Sequence, residues 1–170
     1  MKNPLKIVVV IGLIMGGALG MLGTMVAAQN IRAVAWAIDG SALVVATSLL
    51  ALIFFRKNND CVAAGFLVYA IGEGVMLGGT AGSLEAGLPS FAAGTALWSA
   101  GLLLTCIPNV FVIWTRIASL IAAVLFAVVS LRIFWGEQIL PVSKPLPYYA
   151  YPFLVLTFIG WIYTVLRKID

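Results

Sequence analysis

Six apolar runs, at 7–28, 33–55, 62–84, 91–107, 113–135 and 149–166, are separated by short polar stretches and carry very few charges. About 20 apolar residues wound as a helix match the hydrocarbon thickness of a bilayer. The chain is therefore read as all-α: a polytopic integral membrane protein, a six-helix transmembrane bundle with short loops. With 170 residues, 63% of them apolar and 9% charged, no length remains for a separate aqueous domain. One transmembrane domain over 1–170 is expected.

The punctuation fixes the threading. Lys2 and Lys6 precede the first run, whose 22 uncharged residues exceed the core of about 7 to 15 usual in a signal peptide. Val26-Ala27-Ala28 resembles a cleavage site, so a cleaved leader is the competing reading of that run. The second run stops at Arg56-Lys57-Asn58-Asn59-Asp60, and Gly87 and Pro89 mark a turn before the fourth. The fifth spans if Arg116 and Arg132 extend toward headgroups. Alternate connections fall on opposite faces of the bilayer, and cytoplasmic loops are rich in Lys and Arg. Lys2, Lys6, Arg56, Lys57, Arg116, Arg167 and Lys168 share one side against Arg32, Arg132 and Lys144 on the other. Both termini should then face the cytoplasm, with a bacterial inner (cytoplasmic) membrane as the expected location.

Absences narrow the chemistry. Without any histidine, bis-His haem, His-ligated metal, Ser-His or Cys-His nucleophile pairs and imidazole relays are excluded. The five lysines all lie outside the apolar runs, so a retinal-type Schiff base has no amine. The net charge of +4 is scattered at the flanks of the runs, not gathered into a stripe, so nucleic acid is not an expected partner. Cys61 and Cys106 sit at cytoplasmic helix ends without a CxxC spacing and should be free, small packing residues. No cofactor and no metal is expected. The potassium-filter sequence, a Walker loop, a dinucleotide fingerprint, GxGD and HExxH are all missing.

Two features remain. Gly12, Gly16 and Gly20 recur every four residues along the first helix and form a groove for close helix packing, a glycine zipper used within the chain or between two copies. Glu73 lies 11 positions from each end of its run, which places a carboxylate at the expected midplane. An acidic side chain there costs about 2.5 to 3.5 kcal/mol on insertion scales, so it should face the interior and pair, or take up a proton. Tyr69 and Thr80 are on the same face as Glu73, and Trp98 at matching depth offers an indole N–H to it. Asp39 enters from the outer end of the second helix, and Glu85, Asp39 and Glu73 would form a descending series of acids. The plainer expectation is that Asp39 pairs with Arg132 and staples the second and fifth helices.

Three classes of function follow. A small proton- or cation-linked transporter or permeation protein would use Glu73 as titrating site and Asp39 as outer gate. A non-catalytic subunit, assembly partner or lipid-binding scaffold would use the glycine face toward a partner or a second copy. An intramembrane enzyme would need Asp39 and Glu73 to converge as acid and base. Membrane lipid is a partner in all three.

Overall fold

All six runs form helices: α1 Pro4–Met25, α2 Gln29–Phe55, α3 Asp60–Gly79, α4 Leu88–Cys106, α5 Ile113–Phe134 and α6 Tyr151–Lys168. This computed structural model describes residues 4–79 and 83–168, and no strand occurs among them. Helices α1 to α5 are each long and apolar enough to cross a membrane, and α6 is a shorter apolar helix. The described part of the third helix runs to Gly79, and a turn occupies 84–87. Glu73 lies six residues before Gly79, about 9 Å by the helical rise.

Each helix packs on its neighbours in sequence, and α6 returns to α1, so the six close into a ring. Successive helices run antiparallel. On α1 and α2, Gly16 faces Leu43 while Gly23 faces Trp36. On α2 and α3, Gly40 meets Leu77 while Phe54 stacks on Phe66. The α1–α6 seam is completed by Gly17 against Val155 and Phe158.

The closest approach is between α3 and α4. A Cβ added at Gly65 would stand 2.8 Å from the Gly101 carbonyl oxygen, and one at Gly101 would stand 2.7 Å from that of Gly65. Gly72 and Gly94 oppose each other at 3.0 Å in the same sense, and a Cβ at Gly87 would meet the Gly79 carbonyl oxygen at 2.8 Å. Glycines spaced by seven, Gly65, Gly72 and Gly79 on α3 against Gly101 and Gly94 on α4 and Gly87 just before it, thus bring two backbones into contact. Between helices in lipid, van der Waals packing of this kind replaces the hydrophobic drive. The same logic inverts the usual surface: on α5, Ile113, Ile117, Leu120 and Val124 are exposed, whereas Ser119, Ala122, Phe126 and Ser130 are buried.

Aromatic rings fill one half of the ring interior. Phe66 lies 4.7 Å from Trp161, 5.6 Å from Phe54 and 6.1 Å from Phe111, centroid to centroid. These rings belong to α2, α3, the α4–α5 connection and α6, so they plug the end that carries the α2–α3 and α4–α5 turns. At that end Arg116, in the first turn of α5, donates from Nε to the Cys106 carbonyl at 2.7 Å and from Nη2 to that of Ile107 at 3.0 Å. It caps the otherwise unpaired carbonyls of α4.

Replacing Gly101 by Val forces a side chain against the Gly65 backbone. A loss of about 1 to 3 kcal/mol is expected, read as a lowered thermal midpoint in detergent. Gly74→Ala, with open space around the new methyl, should leave the midpoint unchanged or raised.

Candidate functional site

The other half of the ring is hollow. A cavity of about 140 Å³ opens among Gln29, Arg32, Ser83 and Pro141, which belong to the ends joined by the α1–α2, α3–α4 and α5–α6 connections. Its deeper wall includes Leu43, Glu73, Trp98 and Phe158. The aromatic plug fills the opposite half.

Asp39 and Glu73 both line it, and their charges interact. Asp39 is ten residues into α2, about 15 Å by the rise, deeper than a count from the start of the apolar run gives. Its neighbour Gly40 packs on Leu77, one turn toward the mouth from Glu73. The Asp39 carboxylate is seated on α1, where a Cβ at Gly20 would stand 3.0 Å from Oδ2. Gly23 makes the matching recess for the Trp36 indole, whose Nε1 donates to the Gly20 carbonyl at 3.3 Å. Gly12 and Gly16 face Ala42, Ala46 and Leu43, so the glycine face of α1 is occupied by α2 of the same chain.

Glu73 is 3% exposed. Its orientation follows from its neighbours: Gly72 packs against α4, Gly74 meets nothing, and the residue between them points to the cavity. Tyr69, fully buried one turn away, interacts with the Glu73 carboxyl and stacks on Trp98 with centroids 5.5 Å apart and planes 6° from parallel. Four buried polar atoms gather here without a hydrogen-bond partner in the protein: Asp39 Oδ1, Glu73 Oε1, Tyr69 Oη and Trp98 Nε1. Leaving one such group unsatisfied costs about 1 to 3 kcal/mol. Three of the four, on Asp39, Glu73 and Trp98, belong to residues that line the cavity, and Tyr69 lies behind the wall.

Several expectations are corrected. Arg132 does not staple α2 to α5, because those helices are not neighbours in the ring. Its Nε donates to Glu137 Oε1 at 2.9 Å on the exposed surface, and this bond holds the Glu137 carboxyl below its usual range. Glu85 is exposed in the α3–α4 turn and does not line the cavity, so the acid series has two members. Trp98 shares the cavity wall with Glu73 but donates no hydrogen bond to it. Thr80 lies outside the described residues. Cys61 and Cys106 are free, the first exposed and the second buried.

The sequence reading missed the wall opposite the acids. Tyr151 and Leu154 of α6 and Phe91 of α4 complete the lining, and the Tyr151 hydroxyl donates to the Pro141 carbonyl at 3.1 Å. Ring closure alone brings α6 there, and no local motif marks it. Among the described residues, no three His, Cys, Asp or Glu side chains come together as a metal site. No family model, no curated protein and no solved structure matches the chain.

Exchanging Glu73 for Met keeps the volume and removes a buried carboxyl whose Oε1 has no hydrogen-bond partner. A gain of about 1 to 3 kcal/mol is expected, measured as a raised thermal midpoint in detergent; a midpoint lowered by that amount would mean that the carboxyl holds the bundle together.

Proposed function

We propose that this is a small proton- or cation-linked transport protein, with Glu73 as the titrating group and Asp39 as the acid met first on the way in. The observation that carries the reading is the cavity, which leads from one end of the bundle to the buried Glu73 carboxyl, whose Oε1 has no hydrogen-bond partner. A charge inside the membrane-spanning region is costly and is retained where ions or protons travel. A purely architectural acid would be paired, and the cation expected to pair with Asp39 is engaged elsewhere.

The cavity is open at one end and plugged by rings at the other, the arrangement required of a carrier caught facing one side. A continuous pore would have no plug. In the proposed orientation the termini face the cytoplasm and the mouth faces the outside, following the distribution of Lys and Arg. Two neighbouring carboxyls resist carrying two negative charges in a confined space, so a proton or a cation held between them relieves the repulsion. Release of one then favours capture of the other.

Proteoliposomes enclosing a pH-sensitive dye measure proton movement when a salt gradient is imposed. The unmodified chain should move protons, Glu73→Gln should slow the flux at least tenfold, and Glu73→Asp should keep part of it. Equal rates for the unmodified and Gln forms, with both folded, would remove Glu73 as the coupling group.

A further inference from the structure

The composition of the cavity wall restricts what can accompany the acids, and here the argument rests on the transport reading above. Its polar groups are few. Around Asp39 and Glu73 the lining is aromatic and thioether or aliphatic: Trp36, Phe91, Trp98, Tyr151, Met76 and Phe158. A divalent metal ion takes six or more oxygen ligands, or keeps several waters, and two carboxylates among rings and methyl groups do not supply that shell. An organic ammonium ion has the opposite requirement. Its charge needs one or two acceptors, its alkyl groups need apolar contact, and aromatic side chains attract it through their negative faces.

Size points the same way. A cavity of about 150 Å³ lined by apolar side chains accommodates one benzene molecule, and the present one is about 140 Å³. We infer that the cavity binds a small organic ammonium ion, with its charged head between the Asp39 and Glu73 carboxylates and its alkyl groups against Trp36, Phe91 and Trp98. The buried, unpartnered Glu73 Oε1 is the acceptor that this ligand satisfies, and Asp39 Oδ1 is a second. The basic residue of the lining, Arg32, is seven residues up α2 from Asp39, and its Nη2 is committed to the Val26 carbonyl at 2.7 Å. It marks the mouth and leaves the floor acidic.

Protons and the ammonium compete for the same oxygens, so acidification should weaken binding. The groups facing the two acids are Tyr69 on α3, Tyr151 on α6 and Arg32 at the mouth of α2. Among the described residues, α1 and α4 contribute no charged side chain to the lining. The carboxyls are therefore the groups whose protonation the pH profile reads.

The test uses the full chain in lipid nanodiscs and the fluorescence of its tryptophans, two of which, Trp36 and Trp98, line the cavity. Choline is the probe, its uncharged isostere 3,3-dimethylbutan-1-ol the shape control, and sodium chloride the inorganic control. Choline should give a saturable change, weakened at least tenfold in Glu73→Gln and on acidification, with the isostere at least tenfold weaker on the unmodified chain. Equal binding of choline and isostere, saturation by sodium alone, or no saturable response would each overturn the inference. If Glu73→Gln does not fold, the comparison of choline with its isostere on the unmodified chain decides. Proton flux without choline binding would leave the transport reading standing and end this one, whereas choline binding without flux would do the reverse.

Discussion

The direct contact of two helix backbones governs the geometry of this protein. Where Gly65 and Gly72 meet Gly101 and Gly94, a Cβ on any of the four would stand 2.7 to 3.0 Å from a carbonyl oxygen of the opposing helix. That contact fixes the rotation of α3 about its own axis. Residues along a helix are set about 100° apart, so with Gly72 turned to α4 the following residue faces the ring interior and the next faces away. Glycine, glutamate and glycine at 72–74 thus have three separate surroundings: a neighbouring backbone, a cavity and open space outside the bundle. A side chain at 72 would turn or displace α3 and carry the acid with it.

The interior of the ring is divided unequally. One half is filled by edge-to-face and stacked rings, a geometry that adds about 0.5 to 1.5 kcal/mol per pair beyond simple burial. The other half holds four polar atoms that the protein leaves without partners. Gly20 and Gly23 belong to the same division: on α1 they recess the Asp39 carboxylate and the Trp36 ring, so the wall of the cavity is shaped by absent side chains as much as by present ones.

Much of the fold was legible because lipid imposes a simple rule. Long uncharged runs must be helices, and the short connections between them force antiparallel neighbours. The α3–α4 contact is also written in the chain, as glycine every seventh residue at 65, 72 and 79 and again at 87, 94 and 101. Other features were not local enough to read. Arg132 finds Glu137 five residues away instead of Asp39 across the bundle, since pairing within the chain's own turn needs no helix adjacency. Trp98 shares the expected cavity with Glu73, yet its plane is set by Tyr69, a stacking partner that periodicity does not single out. The α6 side of the site depends wholly on how the ring closes.

That closure bears on biogenesis. Helices leave the ribosome in order, and α6, which supplies Tyr151, Leu154 and Phe158 to the cavity and Trp161 to the plug, is the sixth to emerge. Until it docks against α1, the bundle is an open horseshoe with both acids turned toward its gap. The arrival of the final helix is therefore the step that completes the wall around Asp39 and Glu73.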